Sequence, residues 1–402
     1  MVSRKIVGLA AAAGIAALTG WLLVTRAQQR PAVVRSAPLD AHRTLGTPSA
    51  FRNLTVFPVF DSSSGRGDAY ATLDEGLKAG KVKVKESSDG GSVNTLYVTN
   101  SGRKPLYLMA GEVVLGGQQD RTLAQDTIVA PGKTNVPITV FCVEHGRWSG
   151  RAEFDHSAPT VAALDIRASA MNGEFNAVKA HVAARSAGSP GAAINNQAAP
   201  ALEGRQAYRS NRNVNSNGAA FAGDEVAKAQ QKVWDGVAEK NRKFKIQNQT
   251  GTYRDALTMK SGDAQKSVPA YVKALSGRLG SDPHLVGVVA AVNGNIIAAD
   301  IFSEPALFRK LWPKLLRSYA ADAVEKTDGA GKSTGKKVTL TAANVMTFMA
   351  NVKNEKLREE NDTEDGRRIR YDSKEASVYS LLPETKAAGA ATKPLHESIL
   401  RK

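Results

Sequence analysis

Two short segments hold the densest chemistry in the chain. The first is Ala110-Gly111-Glu112-Val113-Val114-Leu115-Gly116-Gly117-Gln118-Gln119-Asp120-Arg121, and the second is Cys142-Val143-Glu144-His145-Gly146-Arg147-Trp148. Glu112 and Asp120 flank Gly116-Gly117, with Arg121 beside Asp120, and Glu144 and Arg147 repeat the pairing of acid and base three residues apart. Carboxylates bind ribose hydroxyls or accept protons, and an arginine fork matches phosphate or carboxylate. Glycine lets backbone approach a ligand closely, and Trp148 offers a ring for stacking. Converging on one cavity, these groups would hold a sugar phosphate or a nucleotide fragment, with Glu112 or Glu144 as candidate general base for hydrolysis. A second reading uses the same residues as ion pairs, Glu112 with Arg121 and Glu144 with Arg147, fixing two turns around a core tryptophan.

The elements that must position them are mostly strands. Each segment follows an apolar run and reads as a ligand-facing loop or demanding turn. Leu54 to Phe60 is the first strand, with Pro58 favouring an edge. Further strands are expected at Lys81 to Lys85, Thr95 to Thr99, Pro105 to Met109, Thr127 to Val129 and Val136 to Val143. Between the first two, Thr72 caps a short helix, with Glu75 completing a capping box and Gly80 as stop.

Helices dominate after Trp148. Ser186 to Gly223 is rich in Ala, Gly, Asn, Ser and Pro and reads as a low-complexity insertion. Asp224 to Phe244 resumes as a helix with Val226, Val233, Trp234 and Val237 on one face, and Tyr253 to Leu257 and Val268 to Leu279 continue it. Leu285 to Val292 and Ile296 to Phe302 form a hairpin through Asn293-Gly294-Asn295, where Asn-Gly favours a tight primed turn. A helix from Glu304 to about Glu325, interrupted at Pro313, should cover it with Leu307, Leu311, Leu315 and Tyr319. Thr341 to Asn351 reads as a further helix and Ala376 to Leu382 as a strand-like piece. The fold class is α+β, a sheet-rich N-terminal region followed by helices and a β-hairpin packed by a helix. The expected division is a leader (1–27), a linker (28–50), a sheet-rich region (51–185), the insertion (186–223), a helical and hairpin region (224–382) and a tail (383–402).

Other chemistries are poorly served. Gly111, Gly116 and Gly117 have neither dinucleotide-fingerprint nor P-loop spacing. His145, His156 and His181 are too scattered for a zinc motif, so no metal is expected. Cys142 is the only cysteine and reads as a buried, inert thiol after Thr139-Val140-Phe141. A net charge of +16 is spread over leader, linker and loops without a nucleic-acid motif, so no specific nucleic-acid partner is expected.

Met1 to Lys5 is a basic head, and Ile6 to Val24 carries no charge. At about 1.5 Å per residue it approaches the thickness of a bilayer core. It reads as a secretory signal cut near Ala27 or as a retained single anchor, either one directing the chain to the cell envelope.

The two segments resemble the domain found beside ADP-ribosylglycohydrolases and rhodanese-phosphatases. The resemblance rests on Gly111-Glu112, Gly116, Gln119, Arg121, Cys142-Val143-Glu144 and Gly146-Arg147-Trp148, over roughly Phe51 to Leu315. Ala110 and Gly117 stand where the family has polar residues, and His145 where it commonly has glutamine. The resemblance implies a place in the handling of NAD-derived or ADP-ribose-derived metabolites, through binding. The expected ligand residues are Gly111, Glu112, Gly116, Gln119, Arg121, Glu144, Arg147 and Trp148, with the arginines on an anionic group and the glutamates on hydroxyls. The alternatives are a hydrolase acting on the same class of molecule and a non-catalytic envelope scaffold.

Overall fold

The computed structural model describes residues 35–65, 67–86, 94–147, 150, 152–186, 217–258, 262–327, 339–353, 358–363, 366–384 and 393–402. The leader, Trp148 and residues 187–216 of the expected insertion lie outside them. Both ends of that insertion are helical, because α2 (Leu164–Ser186) runs to its first residue and α3 (Asn217–Lys243) begins well before Asp224. Among the described residues, no helix is long and apolar enough to cross a membrane.

The largest sheet gathers strands from both ends of the chain. Its order is β1 (Arg35–Pro38), β2 (Arg43–Gly46), β4 (Leu54–Asp61), β14 (Leu285–Val292), β15 (Asn295–Phe302), β19 (His396–Arg401), β18 (Ala376–Pro383), β17 (Gly366–Asp372) and β16 (Arg358–Thr363), with β3 (Ser49–Phe51) also paired to β4. Three expectations are corrected here, the first being the linker (28–50), which contains β1, β2 and the start of β3. The stretch read as tail contains β19, which inserts between β15 and β18 because both neighbours leave a full ladder for it. Pro58 is on an interior strand, opposite Val288. On the other side β2 pairs with Val59 to Asp61 and β3 with Leu54 to Val56, so Pro58 falls in the gap between two partners.

Local signals set the elements around that sheet. Asn293 and Gly294 both take positive φ (54° and 78°), giving the primed turn that joins β14 to β15. Helix α6 (Pro305–Glu325) packs on this hairpin through Leu307, Leu311, Leu315 and Tyr319, all buried. Each such leucine contributes roughly 1.5–3 kcal/mol relative to exposure, which lets the helix run through Pro313 without a break. Helix α7 (Ala342–Lys353) covers the opposite face of the sheet with Val345, Phe348, Met349 and Val352.

A second body is a closed barrel, in the order β10 (Arg121–Leu123), β12 (Val136–Cys142), β7 (Thr95–Asn100), β6 (Val82–Lys85), β13 (Glu153–Ser157) and β9 (Val113–Gly116). Val84, Val98, Val114, Leu123, Val140 and Phe154 pack together within it. Helix α1 (Leu73–Lys78) has the expected capping box between Thr72 and Glu75. It follows β5 (Ala71–Thr72), which joins β8 (Leu106–Leu108) and β11 (Thr127–Val129) in a small sheet. Helices α2 and α3 pack lengthwise on each other and against the barrel. Short α4 (Arg254–Thr258) and α5 (Gly262–Leu275) lead back to the large sheet.

Candidate functional site

The first segment is a barrel hairpin rather than a loop. Arg121 pairs with Val114 and Thr122 with Val113, so only Gly117 to Asp120 turn between β9 and β10. Gly117 has φ +56°, and a Cβ there would lie 2.4 Å from Phe154 Cζ and 2.9 Å from Glu86 Oε1. Backbone therefore comes close to another side chain here, as the glycine pair suggested, but the neighbour is the protein's own.

The second segment leaves β12 and closes on that turn through one side chain. Arg147 donates from Nη1 to Gly117 O (2.9 Å), from Nη2 to Gly116 O (3.2 Å), and from Nε to Glu144 Oε2 (2.9 Å). Its Nη2 also lies 3.4 Å from Asp120 Oδ1. Asp120 is fully buried, accepts from Gly116 N (2.9 Å), and is gripped by Arg254 of α4 through Nε (2.9 Å) and Nη2 (2.5 Å). Glu144 spends its other oxygen on Thr250 Oγ1 (2.9 Å). The Glu144–Arg147 pair thus forms as expected, within a cluster that also needs Asp120, Thr250 and Arg254. Trp148, the expected stacking residue, lies outside the described residues.

Arg121 points elsewhere. Side chains alternate along a strand, and Leu123 and Val114 face the barrel interior, so Arg121 faces it too, with Cys142 opposite. Its guanidinium is buried and meets Gln119 Oε1 (3.1 Å) and, more distantly, Glu86 Oε1 (3.5 Å). Burial raises the Glu86 carboxyl above the usual range, while Arg121 and the Gln118 N–H pull it back. The Cys142 thiol, fully buried beside them, is pushed up to about 11 by burial, which agrees with an unreactive role.

Glu112 does not pair with Arg121. It is fully buried and bonds Lys314 Nζ of α6 through Oε1 (2.6 Å) and Met109 N through Oε2 (2.9 Å). Lys314 Nζ also reaches Asp74 Oδ1 (2.9 Å) and Ser157 Oγ (2.8 Å). Burial raises the Glu112 carboxyl. Burial alone would lower Lys314, but Glu112 and Asp74 outweigh it and keep the ammonium protonated. The physical reason is that Glu112 stands in the turn before β9, outside the alternation of the strand, and there meets Lys314 of α6, while Arg121 on β10 faces inward. Gly111, at φ +86°, makes room for Arg167, since a Cβ there would lie 2.9 Å from both Cγ and Cδ of that side chain.

Arg167 leads to a constellation that sequence reading missed. It makes a two-pronged bond to Asp300 on β15, Nη1 to Oδ2 (3.2 Å) and Nη2 to Oδ1 (2.8 Å). His396 on β19 lies between two carboxylates, with Nε2 3.0 Å from Asp300 Oδ1 and Nδ1 2.7 Å from Asp126 Oδ2. Tyr107 OH lies 2.9 Å from the same Nδ1, Tyr319 donates to Asp300, and Phe302 stacks on the imidazole at 4.1 Å. All are buried. Burial alone would raise Asp300, but Arg167 and His396 hold it well below the usual carboxylate range. The two carboxylates likewise raise His396 against its burial. The one sequence signal was Asp300 itself, a charge inside an apolar strand run.

A separate cleft of about 510 Å3 is lined by Arg43, Asp61, Phe302, Lys393 and Glu397, among others, and by no residue of the two segments. Its charges are paired, Lys393 with Asp61 and Arg43 with Glu397 (3.2 Å). Among the described residues, no group of three or more His, Cys, Asp or Glu could hold a metal ion.

Compared with known families, residues 42–392 match the ARG and Rhodanese-Phosphatase-superfamily-associated Protein domain (ARPP-1). That is most of the chain, and the chain belongs to this family. The match runs well past Leu315, taking in the C-terminal strands β16, β17 and β18 that the sequence resemblance left out. No curated protein and no solved structure matches.

Proposed function

We propose that this member of the ARPP-1 family is a binding module for a small nucleotide-like or sugar-phosphate ligand, within the handling of NAD-derived or ADP-ribose-derived metabolites. The ligand would bind where the β9–β10 turn meets Glu144 and Arg147. The family's association with ADP-ribosylglycohydrolases and rhodanese-phosphatases supports the ligand class. The observation that carries the reading is the arginine arrangement around Asp120. One buried carboxylate orients Arg254, whose side chain remains 41% exposed, beside Arg147, so a positively charged edge is held in place for an anion without further ordering. Binding is favoured over hydrolysis because Glu112 and Glu144, the candidate bases, each have both oxygens engaged and are buried.

Thermal unfolding of the full chain across ADP-ribose, NAD, nucleotides and sugar phosphates tests this, because a ligand of the native state raises its apparent stability. A shift with one compound, lost in Arg254→Ala, is the expected result. No shift with any of them would leave the ion-pair cluster as scaffold. We further propose that Ile6 to Val24 exports or anchors the chain; fractionation that leaves it wholly in the cytosol would overturn that.

A further inference from the structure

We infer that Gln119 and Arg121 form an inner subsite for a compact oxyanion, a carboxylate or a phosphate group, at one end of the barrel. The inference deepens the binding reading above by naming the group that enters deepest. The hydrogen bonding of these two side chains is incomplete. Gln119 Oε1 accepts from Arg121 Nη1 at 3.1 Å, which fixes the amide orientation and turns Nε2 away. That Nε2 is buried with no hydrogen-bond partner among the described residues, and so is Arg121 Nε. Gln119 is fully buried and Arg121 is 3% exposed.

Buried donors are nearly always satisfied in folded proteins, and leaving one unpaired costs about 1–3 kcal/mol, more for a charged group. Two such donors on neighbouring side chains, both N–H, call for acceptor oxygens. The charge balance points the same way. A charge-assisted N–H···O bond normally spans about 2.7–2.9 Å, whereas the only carboxylate paired with Arg121 among the described residues, Glu86, stands at 3.5 Å. Glu86 also accepts from Gln118 N at 3.1 Å, so it is shared between the turn and the guanidinium. A compact oxyanion would supply the short contacts that Glu86 does not. The end of a small barrel is a suitable place, since the interior below is filled by side chains and the polar groups gather at the rim.

Glu86 faces the subsite as a competing negative charge, which gives the test a readout that a merely structural role would not move. Binding of inorganic phosphate and of acetate to the full chain, each titrated separately by calorimetry, is expected for the wild type and identifies the favoured oxyanion. Gln119→Leu should weaken it by about tenfold, the effect of one lost hydrogen bond to a charged group, and Glu86→Gln should tighten it. Arg242→Ala, on an exposed part of α3, serves as the control. Failure of both anions to bind the folded wild type would overturn the inference and leave an internal water as the donors' partner. Unchanged binding in Gln119→Leu would overturn it as well. If phosphate binds and no nucleotide or sugar phosphate does, the ligand class proposed above fails while the subsite stands. If nucleotides bind and Gln119→Leu makes no difference, the subsite fails while the module stands.

Discussion

Gly111 lies directly against the aliphatic stem of Arg167, and a Cβ at that position would come within 2.9 Å of two of its carbons. A residue that reads as a ligand-facing glycine thus makes room for the buried guanidinium that holds Asp300. Gly111→Ala should therefore cost stability twice, through the clash and through its φ of +86°. The backbone part alone is about 1–3 kcal/mol. Denaturant unfolding measures the total, and a midpoint equal to the wild type's would refute the packing argument.

Arg147→Ala would release two backbone carbonyls, Gly116 O and Gly117 O, together with Glu144. Partial exposure of the arginine limits the loss, and about 1–3 kcal/mol is expected. A double-mutant cycle with Glu144→Gln should show coupling between the two positions. Strict additivity would mean the pair contributes nothing beyond its separate contacts.

His396→Ala would leave Asp126 and Asp300 facing each other across an empty imidazole site. Removing one member of a buried charge network typically costs about 3–5 kcal/mol. Because His396 lies on β19, hydrogen exchange should also speed up along β15 and β18, its two neighbours in the sheet. Exchange confined to residues next to 396 would show that the network is local.

Asp322 gives the fold a pH dependence. Burial pushes its carboxyl up to about 7, the neighbouring Asp165 and Glu325 charges add to this, and Lys240 opposes it. Its Oδ2 has no hydrogen-bond partner among the described residues. With the folded value above the unfolded one, its contribution is fully present below about pH 4 and is lost as pH rises through about 7. Asp322→Asn should raise the melting temperature by at least about 2 °C at pH 8 and leave it nearly unchanged at pH 4, below the unfolded value. An equal effect at both values would exclude titration as the cause.

Features written in neighbouring residues were legible from the sequence. The Thr72–Glu75 capping box, the Asn293-Gly294 turn and the four-residue spacing on α6 each need only a short stretch of chain. Of the two ion pairs expected from spacing, Glu144 with Arg147 forms and Glu112 with Arg121 does not. Glu112 meets Lys314, Asp120 meets Arg254, and Arg121 meets Glu86, partners 202, 134 and 35 positions away. Spacing within a segment carries no information about such partners. Nor could the segment's composition show which side of β10 faces the barrel interior, which sends Arg121 inward, or that the turn before β9 lies against α6, which brings Glu112 to Lys314. His396 was missed for a related reason: its short strand sits among polar residues, and only the places of β15 and β18 in the sheet make it central.

The position of β4 has a consequence for synthesis. Leu54 to Asp61 is almost wholly buried once β14 lies beside it, yet β14 begins only at Leu285. A ribosome makes everything between them first, so this apolar strand emerges with one long edge and both faces unprotected. Long-range pairing of this kind folds slowly and exposes aggregation-prone edges meanwhile. A nascent chain halted before Leu285 would therefore be a client for chaperones, and release of that client should follow the appearance of the β14–β15 hairpin.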